Sequence, residues 1–296
     1  MSRHSLMHHT PPSCPSPNRL VVPFKEESFF FECLPDYLYG VHNEPRADAS
    51  HTSIVIVPPI GHERLRCYRE SVNLARGLAD QGFHVLRFDY RGEGESAGSF
   101  EHTNVATRLH DIEHAIKALG ARNKIAVRCL IGFRLGAVLA MMASVKMHID
   151  RVVLCDPVLN IKSYVRSLFR ANIIMQREYF GKIICNEQGL RERLQSGDPI
   201  SIYGFHYTNG FIQQMEAIDE RECLQGFKGQ SLLLPFTRVE SPANKAWEEW
   251  LHGLNRNGHC TLTPFITDFS WGTKKVWTSS FHAMDTLIAK WLSKEV

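Results

Sequence analysis

Residues 124–140, KIAVRCLIGFRLGAVLA, decide the reading of this chain. An apolar run gives way to a short turn containing Gly132 and Gly136, and then to a second apolar run built from helix formers. The pattern predicts a buried strand, a sharp turn and a buried helix. One glycine stands two residues to either side of position 134, which is the layout of a nucleophile elbow, G-x-Nu-x-G. Such a turn holds its middle residue in a strained backbone conformation. It also brings the flanking positions so close to their neighbours that they take glycine. The middle residue here is Arg134. Arginine stays protonated and cannot attack a carbonyl.

Outward from the elbow, strand and helix alternate. Ser28–Leu34 and Tyr37–His42 read as two antiparallel edge strands around a Pro-Asp turn. Ser53–Val57 (SIVIV) is apolar throughout, as in a parallel sheet covered on both faces. A breaker-rich loop, Pro58 to Glu63, leads to a helix over about Tyr68–Gln81. Phe83–Phe88 is the next strand, followed by a glycine-rich loop, DYRGEGESAGSF at 89–100, and a helix over about Val105–Leu119. Beyond the elbow helix, Arg151–Cys155 is a further buried strand. This order predicts a mostly parallel sheet with right-handed crossovers and helices on both faces. Residues 160–226 read as helices and loops without a strand. The sheet resumes at Ser231–Phe236 and, after a helix over Ala243–Leu254, at about Cys260–Ile266. The last helix is expected over Ser279–Leu292.

The chain has 296 residues, 44% apolar and 22% charged, with a formal net charge of +3. That charge is too small to argue for nucleic acid. No run approaches 18 apolar residues, so no membrane span is expected. The eight cysteines form no C-x-x-C pair, so spacing supports neither a metal nor a redox site, and no cofactor is expected. They read as reduced thiols, which points to the cytoplasm. Residues 1–24, rich in Pro, Ser and His, read as a disordered tail without a secretory leader. Residues 25–296 read as one domain with a cap insertion at about 160–226.

Four segments carry a resemblance: VPPIGHERLRCYR at 57–69, RFDYRGEGESAG at 87–98, GFRLGA at 132–137 and VVLCDPV at 152–158. Together, in this order, they resemble the α/β-hydrolase superfamily, and within it the serine-aminopeptidase-like and exosortase-associated hydrolases. The resemblance implies the α/β-hydrolase fold with a helical cap, and ester or amide hydrolysis by a nucleophile, an acid and a histidine. A second pattern match, Gly94-Glu95-Ser96-Ala97-Gly98, lies in a loop with no helix opening at Ser96, so it reads as a packed glycine loop.

The resemblance puts the acid after Ser231–Phe236, where Glu240 is the near candidate, or after Cys155, where Asp156 fits. It puts the base after Cys260–Ile266, but residues 267–273 contain no histidine. His259 precedes that strand, and His282 falls within the expected last helix. Nucleophile and base are both missing, which argues against Ser-His-Asp catalysis. A cation at a helix N-terminus is disfavoured by about 0.3–1 kcal/mol, so Arg134 should have an anionic partner: Glu63, Asp156 or Glu240 inside the chain, or a bound carboxylate or phosphate. In the second case Ile60, Gly61 and Leu135 would contribute backbone N–H groups, with His62 and Glu63 lining the same pocket. A degenerate hydrolase that binds a small acidic or acyl ligand is the first expectation. An ester or amide hydrolase with a rearranged catalytic set, drawing on Ser96, Cys155 or Asp156, is the second.

Overall fold

A computed structural model describes residues 25–45, 52–239, 244–271, 281 and 283–294. The expected tail at 1–24, together with Glu240 and His282, lies outside the described residues.

The strands are β1 (Glu26–Cys33), β2 (Asp36–Asn43), β3 (Ser53–Val57), β4 (His84–Phe88), β5 (Val127–Phe133), β6 (Arg151–Cys155), β7 (Ile200–Ile202), β8 (Phe205–Tyr207), β9 (Gln230–Leu234), β10 (Phe236–Thr237), β11 (His259–Leu262) and β12 (Phe265–Ile266). The helices are α1 (His62–Asp80), α2 (Val105–Asn123), α3 (Leu135–Met147), α4 (Ile161–Phe180), α5 (Glu187–Gln195), α6 (Asn209–Glu216), α7 (Glu220–Gly226), α8 (Lys245–Leu254) and α9 (Met284–Leu292). The main sheet runs β1-β2-β4-β3-β5-β6-β9-β11, antiparallel at the β1, β2 edge and parallel from β4 onward. This is the α/β-hydrolase fold.

Alternation along each strand divides the core in two. Val55, Leu130, Val152, Leu154 and Leu233 point to one face, where α2 and α3 cover them. Ile54, Ile56, Cys129, Ile131, Val153 and Leu232 point to the other, where α1 and α9 supply Leu74, Leu78, Met284 and Ile288. Side chains alternate at period two along a strand, so a continuous apolar run serves two buried faces.

Four boundaries differ from expectation. Helix α1 opens at His62, six residues early, because its first turn contains the buried, ion-paired Glu63 and Arg64, whose charge conceals the helical periodicity. The 160–226 stretch includes a hairpin, β7 with β8, turned by Tyr203 and Gly204 at φ 49° and 89°. Two positive φ values make the tight hairpin turn that glycine favours. Pro235 and Pro264 divide each expected late strand in two, since proline cannot donate to a ladder. Helix α9 begins at Met284, later than the expected Ser279. Residues 161–226 enter between β6 and β9 and add no strand to the main sheet.

Candidate functional site

Arg134 lies on the turn between β5 and α3, at φ 54° and ψ −123°. A non-glycine residue held there costs about 1–3 kcal/mol, and the turn is pinned from three sides. Its N–H donates to the Cys155 carbonyl at 3.1 Å, and its own carbonyl accepts from Ala137 and Val158 at 3.1 and 3.3 Å. A Cβ on Gly132 would sit 2.4 Å from the Ala137 Cα, and one on Gly136 would sit 2.2 Å from the Pro58 carbonyl oxygen. Close backbone approach therefore demands both glycines.

The Arg134 side chain is held by residues from three other elements. Nε donates to Glu63 Oε1 at 3.0 Å. Nη1 donates to the Asp156 carbonyl at 3.2 Å and to Asp156 Oδ2 at 3.4 Å. Tyr164 of α4 donates its hydroxyl to Glu63 Oε2 at 2.9 Å. Trp271 donates Nε1 to Asp156 Oδ2 at 2.6 Å, and its ring lies 5.3 Å from the guanidinium carbon. Asp156 sits at φ 42° at the end of β6, with Oδ1 accepting from the Phe236 N–H at 3.4 Å.

Burial opposes charge on Asp156, Arg134 and Tyr164. It pushes the Asp156 carboxyl above its usual range, with Arg134 and Trp271 pulling back. It also works against the Arg134 guanidinium, but Glu63 and Asp156 outweigh it and hold the cation more firmly protonated than usual. The Tyr164 hydroxyl is raised well above a normal phenol by burial and by Glu63, so it remains a donor.

Of the expected partners of Arg134, the structure brings together Glu63 and Asp156. Both are internal, so an acidic ligand at this guanidinium would have to compete with two carboxylates already in place. The expected N–H lining is also partly committed. Gly61 donates to Glu93 Oε2 at 3.3 Å, and Glu93 is paired at 2.9 Å with Arg108, both side chains being fully buried. Ile60 and Leu135 are buried apolar residues beside the turn. His62 packs tilted against Tyr203, ring centroids 4.9 Å apart, its Nδ1 buried without a hydrogen-bond partner among the described residues, and burial lowers its pKa. The Tyr207 hydroxyl, which a Cβ on Gly61 would meet at 2.8 Å, is likewise without one.

Of the rearranged catalytic set, Asp156 reaches Arg134, whereas Ser96 and Cys155 are engaged elsewhere. Ser96 donates to the Asp89 carbonyl at 2.6 Å and accepts from the Tyr39 N–H at 2.8 Å, which fixes it as a loop staple. Cys155 is fully buried in the core on the α1 and α9 face, and burial raises its thiol well above normal. His259 opens β11 opposite Gln230, at the end of the parallel strands away from Arg134 and Asp156. Tyr164, Trp271 and Glu93 were not among the expected site residues; each reaches the site from a distant part of the chain, with no local spacing to announce it.

A family model described as serine aminopeptidase, S33, matches residues 50–199. No curated protein matches. Among solved structures, Est1E from Butyrivibrio proteoclasticus, determined with ferulic acid bound, is 15% identical with a TM-score of 0.65, covering 89% of this chain and 97% of its own. A proline iminopeptidase from Mycobacterium smegmatis is 12% identical with a TM-score of 0.55, covering 90% and 97%. An alpha-beta serine hydrolase homologue from Coxiella burnetii is 13% identical with a TM-score of 0.53, covering 90% and 95%. At these identities the likeness is one of fold.

Proposed function

The chain belongs to the serine aminopeptidase S33 family, and from that premise we propose that it is a degenerate ester or amide hydrolase, with Arg134 standing where the nucleophile would stand. The observation that carries this reading is the double pairing of Arg134 with Glu63 and Asp156. A guanidinium held by two internal carboxylates offers neither an attacking atom nor a proton acceptor.

The ligand in this reading is acyl and neutral, not acidic. Two carboxylates face one guanidinium, so the set carries no surplus positive charge for an anion. Nη2 of Arg134 has no hydrogen-bond partner among the described residues, the side chain keeps 21% of its surface exposed, and a carbonyl oxygen suits such a donor. The 161–226 insertion acts as a cap here, since Tyr164 and Tyr207 reach the site from it. Among the described residues no helix is long and apolar enough to cross a membrane, and the seven described cysteines are free thiols. A reducing, cytoplasmic setting accords with those thiols.

The test is a fluorophosphonate probe and a panel of short-chain esters applied to the full chain. The expected result is no labelling and no turnover. Labelling or turnover that disappears in Ser96→Ala would overturn the reading in favour of the rearranged enzyme.

A further inference from the structure

Away from the elbow, β1 and α2 bring three metal-ligating side chains together. Cys33 ends β1 and is fully buried. His110 and His114 lie one helical turn apart on α2, and therefore on one face of it. One ligand atom from each of the three lies within 4.8 Å of the other two. Cys33 Sγ and His110 Nδ1 are already 3.3 Å apart. A tetrahedral ion with metal–sulfur and metal–nitrogen bonds of about 2.3 and 2.0 Å holds such atoms about 3.5 Å from each other.

The surroundings fit a cation as well. His114 Nδ1 lies 2.8 Å from the Glu32 carbonyl oxygen. A ring N–H donated to a backbone carbonyl fixes the tautomer and leaves Nε2 as the ligand atom, the usual arrangement around a metal-bound histidine. Arg91 approaches Cys33 Sγ at 3.0 Å, but it is neutralised by Asp36 at 3.3 Å and Asp111 at 3.2 Å. Those two carboxylates exceed the one guanidinium by a single negative charge. A Cys33 thiolate adds a second, which together match a divalent ion. Asp111 Oδ1, 3.5 Å from Sγ, accepts a hydrogen bond from the thiol in the metal-free chain; on binding, the thiol proton leaves to solvent.

We propose that Cys33, His110 and His114 form a three-ligand site for one divalent transition-metal ion. One thiolate and two imidazoles select a borderline-soft cation of the zinc and cobalt type over magnesium or calcium. His110 is exposed, which leaves the fourth position to water or an exchangeable ligand. The site shares no residue with the Arg134 set and does not depend on the reading of that set.

Cobalt titration of the reduced, metal-stripped full chain tests this. One equivalent should bind, with a thiolate-to-cobalt charge-transfer band and the intense visible bands of tetrahedral cobalt, and zinc should displace it. A His110→Asn, His114→Asn double variant should bind at least about 100-fold more weakly. Cys33→Ser should lose the charge-transfer band; should that variant fail to fold, the surface histidine pair carries the test. A chain with His4, His8 and His9 changed to Asn should bind unchanged. Absence of the charge-transfer band in the natural chain, or the same band and affinity in the double histidine variant, would overturn the proposal.

Discussion

Arg134 Nε and Glu63 Oε1 lie 3.0 Å apart, joining the turn after β5 to the first turn of α1. Glu63 is 5% exposed and Arg134 21%. At that depth, breaking a pair leaves a charge with little water to solvate it. Arg134→Met should therefore destabilise the fold by about 3 kcal/mol, the lower end of the usual range, since Arg134 keeps some solvent contact. Adding Glu63→Gln and Asp156→Asn should recover part of that loss, because the stranded charges go with it. Urea unfolding of the single and triple variants decides this: a single variant as stable as the natural chain would show that the pair contributes nothing.

Trp271 tests the same network from its far side. Its Nε1–H donates to Asp156 at 2.6 Å, a bond between a neutral donor and a half-buried carboxylate. Trp271→Phe keeps a ring against Phe236 and Phe269 but deletes the donor. A loss of about 1.5–3 kcal/mol is expected. An equal loss in an Asp156→Asn background would show that the two residues do not act together.

Gly136 should tolerate no side chain. An alanine Cβ would press on the Pro58 carbonyl oxygen at 2.2 Å, and both the β3 end and the helix start are backbone that side-chain rotation cannot relieve. Gly136→Ala should lower the melting temperature sharply or prevent folding. Gly181→Ala, where a Cβ meets nothing within 4 Å but φ is 69°, should show only the smaller cost of a positive φ, about 1 kcal/mol. Equal losses at the two sites would remove the packing argument for the elbow.

The fold was legible because its strongest signals are local. SIVIV, the paired glycines around Arg134 and RVVLC each announce a buried strand end, and the sheet follows from their order. The site was legible only where one chain segment carries it: Arg134, Glu63 and Asp156 each stand at a strand or helix end that sequence spacing can locate. Tyr164 and Trp271 close the same network from 101 and 115 residues away from their partners, and no periodicity marks a hydroxyl or an indole for that purpose. The metal-ligating triad was hidden for the same reason. Cys33 is separated from His110 by 77 positions, and a C-x-x-C search passes over it. The start of α1 is hidden in the sequence because buried, paired charges look like surface charges there.

Arg134→Ser should not create an esterase. A serine at φ 54° would have the elbow's exposure, but activation needs a neighbouring imidazole placed to take its proton. No described histidine hydrogen-bonds to Arg134, Glu63 or Asp156, and the His62 ring packs against Tyr203. Release of product from activated short-chain esters should stay at the level of the natural chain. Robust turnover in this single variant would mean that a base is present after all.

His42 should make the fold acid-sensitive. Its ring is 2% exposed and stacks on His84, with Nε2 3.1 Å from His84 Nδ1. Burial, then the neighbouring His84, lowers its pKa from 6.5 to about 4. Well above pH 6.5 the ring is neutral in both states, and its contribution is fully present. As the pH falls below 6.5, the unfolded chain gains a proton that the folded chain refuses, so stability drops by up to about 1.4 kcal/mol per pH unit. The drop ends near pH 4, where the folded ring is protonated too. Asp156 and Glu93, both raised by burial, act in the opposite sense wherever the folded state takes up protons before the unfolded chain does. The diagnostic quantity is therefore the difference between the natural chain and His42→Asn. Urea unfolding from pH 7 to pH 4 should give a shallower slope for the variant, and two parallel curves would mean that His42 is not the group that senses the acid.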